Sequence, residues 1–480
     1  MGRLLAVVSV ALALARPAAA GGPSMVIGAA EDQVKQPTLV AAKAKLELMR
    51  MAGFRAVRVT SVWAPGLREP TPDERVALSN LATAAQLTGM RVLVTVTNFG
   101  SRTTPLTDTE QDDFAAYAAA IARDYPSFRD IIVGNEPNLN RFWMPQFDGN
   151  GASAAPAAYL SLLAKAYDAV KAVSPAVTVI GGALSPRGSD RPGGVRPTHS
   201  PAGFIRAMGA SYRASGRDRP VMDALAIHVY QDTSSTPPSF VHPKSTTIAV
   251  ADYDKLVSLL AEAFDGTPQP GSSLPIVYGE FGVESAIPPA KAPLYTGREP
   301  TTTKPVDEAT QGAYYREAMA LAFCQPNVRA FLVFHAIDES DLDRWQSGVY
   351  YPDETPKSSL PAVAQAARDV RGGVIARCPG LALTPRAKVS FPRGQALRSL
   401  PLRVVLTCDI DCNYRLRLEK LPRGSTTLAV SGRAHAETPT VVALPPRRLA
   451  RGPYRFTLRL TAPVNTGPPA SLRSAPFALP

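Results

Sequence analysis

The feature that most constrains this chain is a rhythm: eight short, apolar, β-rich runs recur along its first three-quarters, most of them separated by stretches with helical periodicity. The runs are Met25 to Gly28, Ala56 to Val62, Val92 to Thr97, Ile131 to Val133, Val177 to Ala183, Ala224 to Tyr230, Ile276 to Tyr278 and Ala330 to Phe334. Their nearly continuous apolar character is what parallel strands covered on both faces require. Helices are predicted between them over Leu39 to Met51, Pro72 to Thr88, Thr109 to Arg123, Pro156 to Val173 and Thr310 to Phe323. Eight strand-helix units are the count of a closed (β/α)8 TIM barrel. An open doubly wound sheet alternates in the same way, but it usually carries a glycine-rich first turn. No such turn follows the first run.

After Arg371 the texture changes. Helical periodicity stops, Pro and Gly recur, and short alternating segments follow: Leu402 to Thr407, Tyr414 to Leu418, Thr427 to Val430, Val441 to Leu444 and Tyr454 to Leu460. Evenly spaced short strands predict a small β-sandwich of immunoglobulin or fibronectin type. With 480 residues the chain is long enough for two cores. The expected division is a catalytic barrel over residues 21–380 and an accessory sandwich over 385–480, with the boundary between Cys378 and Lys388.

Arg3, the apolar stretch Leu4 to Ala15 and the small residues Ala18-Ala19-Ala20 have the layout of a secretory signal over residues 1–20, so the mature chain is expected to begin near Gly21 in an exported, extracellular protein. The apolar stretch is shorter than the roughly 20 residues of a membrane span. Four cysteines in an exported chain suggest disulfides. Cys408 and Cys412 flank a tight hairpin and are expected to pair, leaving Cys324 with Cys378; the histidines show no zinc-ligand spacing near them.

Charge is placed unevenly. Leu381 to Pro480 holds 16 Lys and Arg against 4 Asp and Glu, which accounts for the whole net charge of +12 and leaves the rest formally neutral. The arginines alternate with apolar residues, as in Tyr414-Arg415-Leu416-Arg417-Leu418, which reads as a solvated strand face. An acidic cell-surface polymer is the partner such charge could attract. Nucleic acid is not expected, since no binding motif accompanies the charge.

Two glutamates carry the chemistry. Ile131-Ile132-Val133-Gly134-Asn135-Glu136-Pro137-Asn138 runs from the fourth apolar strand into a polar cluster, and Pro275-Ile276-Val277-Tyr278-Gly279-Glu280-Phe281-Gly282 repeats that grammar on the seventh. Both carboxylates therefore fall at the carboxyl ends of strands, where barrels of this type keep their catalytic groups. Cleaving a glycosidic bond needs one acid to protonate the leaving oxygen and one carboxylate to attack the anomeric carbon. In the retaining case the two are about 5–5.5 Å apart.

The stretches GNEPN and YGEFG resemble the acid/base and nucleophile signatures of clan A glycoside hydrolases. Ala52-Gly53-Phe54-Arg55-Ala56-Val57-Arg58-Val59 with Trp63 resembles the second strand of the cellulase family (family 5). The run from Asn135 to Trp143, with Gly181-Gly182 on the next strand, is similar to the β-xylosidase type (family 39). The resemblance implies Glu136 as acid/base, Glu280 as nucleophile, Arg58 supporting it, Asn135 on the sugar 2-hydroxyl, Asn98 and His228 lining the site, and Tyr230 orienting Glu280. His228 on an apolar strand also reads as a core histidine. Where many relatives carry a tryptophan platform after strand eight, this chain reads Phe334-His335-Ala336-Ile337-Asp338, which leaves His335 or Trp345 for that role, or no platform at all. Trp63 and Trp143 are candidate stacking surfaces or, equally, loop packing. Glu284, Glu339 and Asp341 read as solvated or rim groups.

The expectation is a secreted retaining glycosidase acting on a β-linked glycan, working as a monomer without cofactor or metal. A catalytically silent carbohydrate-binding protein and a transglycosylase on the same barrel remain alternatives.

Overall fold

The computed structural model describes residues 21–392, 402–445 and 449–479; the segment read as a secretory signal, residues 1–20, lies outside them. Strands β1 (Val26–Ala30), β2 (Ala56–Trp63), β3 (Arg91–Asn98), β4 (Asp130–Val133), β5 (Thr178–Leu184), β6 (Ala224–His228), β7 (Ile276–Phe281) and β8 (Val328–Phe334) pair in order, all parallel, and β8 returns to β1 to close the barrel. Helices α1 (Leu39–Met51), α2 (Pro72–Thr88), α3 (Asp108–Asp124), α4 (Ala155–Val173), α5 (Pro201–Ala214), α6 (Tyr253–Phe264), α7 (Glu308–Phe323) and α8 (Leu360–Gly372) alternate with them. Thr71, Thr107, Ser200 and Asp307 each accept a backbone N–H in the first turn that follows, which satisfies donors a helix start would leave bare.

Strand alternation sorts the side chains. Val57, Val59, Leu225 and Ile227 face the helices, whereas Ala56, Leu93, Ile132, Ala224, Ala226, Val277, Ala330 and Leu332 fill the barrel interior. The interior is tight: a Cβ on Gly28 would stand 2.4 Å from the Ala56 carbonyl oxygen, so only glycine fits there. At the amino-terminal end of β4 the fully buried Asp130 accepts from Arg91 at 2.6 and 2.7 Å and from Arg329 at 2.8 Å. That pairing closes the floor, the end of such barrels given to stability.

Beyond α8 the chain builds two antiparallel sheets. One has the order β13 (Thr440–Ala443), β10 (Arg403–Cys408), β9 (Ala387–Ser390); the other runs β12 (Ser425–Ala434), β11 (Cys412–Lys420), β14 (Gly452–Thr461), β15 (Ala470–Arg473), with β16 (Phe477–Leu479) also on β14. Val404 and Leu406 from the first sheet and Leu416, Leu418, Phe456 and Leu458 from the second form their shared buried cluster. Asn465 anchors this part to the barrel: its Oδ1 accepts from Cys378 N–H at 2.8 Å and its Nδ2 donates to the Ala376 carbonyl at 2.9 Å. Both expected disulfides are present, Cys324–Cys378 with Cα atoms 5.2 Å apart and Cys408–Cys412 at 6.5 Å.

Two strand limits differ from the sequence reading in ways that matter. β7 continues through Phe281, so Glu280 lies within the strand, and β6 stops at His228, so Tyr230 stands beyond it. Among the described residues no helix is long and apolar enough to cross a membrane.

Candidate active site

Ordinary alternation delivers Arg58 and His228. Each lies on the inward row of its strand, two residues past Ala56 and Ala226, at the carboxyl end of the barrel. Glu280 needs more than alternation. Val277 points inward and Tyr278 outward, which would send Glu280 to the helix side. A register shift between Tyr278 and Phe281 adds a residue at Gly279 and turns Glu280 into the mouth, opposite His228. Glu136 arrives differently. It follows Gly134 (φ 81°) and itself takes a left-handed backbone at φ 43°, held by its N–H on the Ala183 carbonyl and by Leu139 N–H on its own carbonyl, both 2.9 Å. For a residue with a Cβ that conformation costs on the order of 1 kcal/mol.

The side chains then form one connected set. Arg58 Nη1 donates to Glu280 Oε1 at 2.6 Å, and Tyr230 OH donates to Glu280 Oε2 at 2.8 Å. His228 Nδ1 lies 2.8 Å from Glu136 Oε1 and 3.3 Å from Glu280 Oε2. Arg58 is itself fixed, donating from Nε to Thr95 Oγ1 at 2.7 Å and from Nη2 to Asn135 Oδ1 at 3.0 Å. This leaves the Asn135 amide N–H groups for a ligand. Facing carboxylate oxygens of Glu136 and Glu280 come within 4.8 Å of one another.

Burial pushes the Glu280 carboxyl up, but the electrostatic pull of neighbouring His228 and of the Arg58 guanidinium, with the hydrogen bonds from Tyr230 and Arg58, outweighs it, so its pKa lies below the ordinary value. Burial, followed by the charge of Glu280, holds the Tyr230 hydroxyl well above its ordinary value, which keeps it a donor. Glu136, His228 and Glu280 are also, among the described residues, the one group close enough to share a cation. The Arg58 guanidinium already supplies positive charge at that point.

A cleft of about 810 Å³ opens over β1 to β3 and β8, with Arg58, Asn98, Asn135, Glu280, Phe334 and His335 among its walls. A second, of about 370 Å³, holds Glu136, Tyr230, Glu339 and Trp345 and shares Asn135, Glu280, Arg141, Phe142, Phe334 and His335 with the first. The two meet at the carboxylate pair. His335 Nδ1 donates to the Ala30 carbonyl at 2.8 Å, and Trp345 packs on Tyr230 with ring centroids 4.8 Å apart. Arg58, Asn98, Asn135, Glu136, His228, Tyr230, Glu280, His335 and Trp345 are thus brought together. Asn98 spends its amide N–H groups on the Gly100 and Phe142 carbonyls, which makes it a brace for the wall.

Two candidates fall outside. Trp63 is 0% exposed, donates to the Leu67 carbonyl and packs on Phe114; Trp143 is 1% exposed and meets Tyr159 edge to face. Both belong to the core between strands and helices, so neither offers a stacking surface. Besides Phe334 and His335, the aromatics that reach the larger cleft are Phe99 and Phe142, the latter beside Trp143 in sequence. A rotation by one residue at a loop separates core from wall, and composition carries no trace of it.

Glu284 is also corrected. It is 7% exposed rather than solvated, accepts from Gln346 N–H, and burial raises its pKa to about 7. The loop after β8 folds over it, a contact between distant segments. Glu31 was missed altogether. Its carboxylate, 2% exposed, accepts from Ala336 and Ile337 N–H at 3.2 and 3.1 Å, tying the end of β1 to the loop after β8 in the wall of the larger cleft. A charged residue directly after Ala29-Ala30 was the available sign.

No known protein family and no curated protein sequence matches the chain. Solved structures do. A glucosidase from Croceicoccus marinus aligns with a TM-score of 0.48 and 10% identity over 89% of this chain and 94% of that one. A β-xylosidase from Caulobacter crescentus aligns with a TM-score of 0.46 and 14% identity over 89% and 96%. A β-glucuronidase from Bacteroides uniformis aligns with a TM-score of 0.45 and 13% identity over 95% of this chain, which spans only 47% of that enzyme. These neighbours are glycoside hydrolases, and at such identity the likeness is one of architecture.

Proposed function

We propose that the chain is an exported retaining glycoside hydrolase that cleaves β-linked glycans, with Glu280 as nucleophile and Glu136 as acid/base. The observation that carries this reading is the pair of facing carboxylates within 4.8 Å of one another, one of them held ionised by Arg58. That separation fits the roughly 5–5.5 Å of retaining enzymes and is too short for the water that inverting ones admit between about 6.5 and 9.5 Å. The β-configuration is what the resemblance of GNEPN and YGEFG implies. Two disulfides fit an oxidising compartment.

In this mechanism Glu280 attacks the anomeric carbon while Glu136 gives its proton to the leaving oxygen. The sugar becomes esterified to Glu280, and Glu136, now a carboxylate, takes a proton from the water that releases it. Arg58 and Tyr230 stabilise Glu280 as an anion. His228, bonded to Glu136 and 3.3 Å from Glu280, holds the two in register.

The test is stereochemical. With an aryl β-glycoside as substrate, Glu280→Ala is expected to lose turnover and recover it with azide as the α-azide. Glu136→Ala should keep its first step on substrates with activated leaving groups, stall at the ester, and yield the β-azide. Near-wild-type hydrolysis by both variants, or inverted product, would remove the assignment. Wild-type binding of glycans with no turnover of any glycoside would point instead to the silent binding protein.

A further inference from the structure

The outer face of the larger C-terminal sheet carries arginine after arginine. Register places Ser431, Arg415, Arg459 and Ser471 side by side in one row across β12, β11, β14 and β15. The next row reads Ala429, Arg417, Thr457, Arg473. The opposite face of the same strands is the buried cluster of Leu416, Leu418, Leu458 and Leu460. Arg415, Arg459 and Arg473 are exposed. Among the described residues, none of Arg415, Arg417, Arg459 and Arg473 has a carboxylate within ion-pair distance. Glu419, the acidic residue next along β11, accepts instead from Thr457 Oγ1 at 2.8 Å.

A solvated strand face accounts for alternation but not for this placement. Arg415 and Arg459 are direct cross-strand partners, and like charges so placed destabilise a sheet. A ligand with repeated negative charge would offset that repulsion. Strand spacing sets the backbone attachment points of these arginines roughly 5 Å apart across strands and roughly 7 Å along one. Asn413, Tyr414, Ser431, Arg415, Arg459 and Thr461 border a depression of about 440 Å³ on this sheet.

We propose that this face binds a linear polysaccharide bearing carboxylates, and so holds the barrel on an acidic matrix. Guanidinium groups bind carboxylates through paired hydrogen bonds. The interleaved Asn413, Ser431, Thr457, Thr461 and Ser471 supply hydroxyl and amide groups for sugar hydroxyls. The outward rows themselves hold no aromatic ring, and Tyr414 at the depression is a single ring rather than the succession of stacking platforms that single-stranded nucleic acid uses. The choice of a glycan rests on the glycosidase reading; the charge argument stands without it.

The experiment titrates the full chain with polygalacturonate, with a neutral dextran of matched length, and with duplex DNA of matched charge, at low and at physiological ionic strength. Expected is binding to polygalacturonate that weakens with salt, none to dextran, and weaker binding to DNA. The triple variant Arg415→Gln, Arg417→Gln, Arg459→Gln should bind the polymer about tenfold or more less tightly, with unchanged near-ultraviolet circular dichroism. Arg459→Gln alone, the milder change, should show part of that loss. No wild-type binding, equal binding by the variants, or DNA bound as tightly as polygalacturonate would each overturn the proposal. Binding is read without turnover, so a chain that binds the polymer yet hydrolyses no glycoside would defeat the catalytic reading and leave this one standing.

Discussion

Tyr230 shows how much one hydrogen bond can govern at this site. Its hydroxyl donates to Glu280 Oε2, one of three stabilising partners for that carboxylate along with Arg58 and His228, while Glu136 stands opposite. Tyr230→Phe removes a donor from the ionised form of Glu280, so the pKa of Glu280 rises and the acid limb of kcat/KM moves to higher pH. A hydrogen bond to a charged group contributes about 1.5–3 kcal/mol, so kcat/KM should also fall roughly tenfold to a hundredfold. Rate profiles of both proteins on one aryl glycoside check this; a limb that stays in place would mean that Tyr230 does not set the ionisation of Glu280. At this scale the sequence revealed Glu136 and Glu280 because each follows an apolar strand with a polar cluster. Arg58 could be placed by alternation from Ala56. Glu280 could not, since its inward aim depends on the shift at Gly279, which is a property of pairing with β6 and β8 rather than of β7 alone.

The elements themselves were the most legible part, because apolar runs and helical periodicity are local. α1 and α2 span the very residues expected of them. What stayed hidden was the segment between β8 and α8, whose order comes from contacts across the chain. There Lys357 and Asp338, both with side chains wholly removed from solvent, pair at 2.7 Å. Tyr295 OH donates to Asp338 at 2.6 Å, and Lys357 donates to Ser285 Oγ and the Gln346 carbonyl at 2.8 and 3.0 Å. This buried pair clamps the loops after β7 and β8, the same loops that carry Glu284 and Trp345. Removing one partner of a buried pair leaves the other charge uncompensated and costs about 3–5 kcal/mol. Lys357→Met is therefore expected to lose about that much in urea unfolding, and Lys357→Met with Asp338→Asn to recover part of it. Equal stability for wild type and Lys357→Met would show that the clamp contributes nothing.

At the scale of the whole molecule two cores share one chain, and the disulfides are divided between them. Cys324 follows α7 and Cys378 follows α8, so their bridge spans 54 residues and ties the last helices of the barrel beside the point where β8 closes on β1. Cys408–Cys412 spans 4 residues where the chain passes from β10 in one sheet to β11 in the other, a crossing between sheets rather than the hairpin the sequence suggests. Cross-linking restricts the unfolded chain more when it closes a longer loop, by about 4 kcal/mol for a loop like the first and about 2 kcal/mol for one like the second. The three tryptophans, Trp63, Trp143 and Trp345, all lie in the barrel, so their fluorescence follows barrel unfolding alone. Cys324→Ser with Cys378→Ser should therefore lower the denaturant midpoint seen by tryptophan fluorescence. Cys408→Ser with Cys412→Ser should leave that midpoint in place while lowering the one followed by strand circular dichroism. The contacts of Asn465 with Ala376 and Cys378, the Asp411 N–H on the Gly372 carbonyl at 3.0 Å and the Arg55–Glu437 ion pair at 3.0 Å are routes by which the sandwich could couple to the barrel. If the second variant moved the tryptophan midpoint as far as the first, the two cores would unfold as one unit and the division of the bridges would have no separate effect; if the first variant did not move it, the longer bridge would not be what holds the barrel closed.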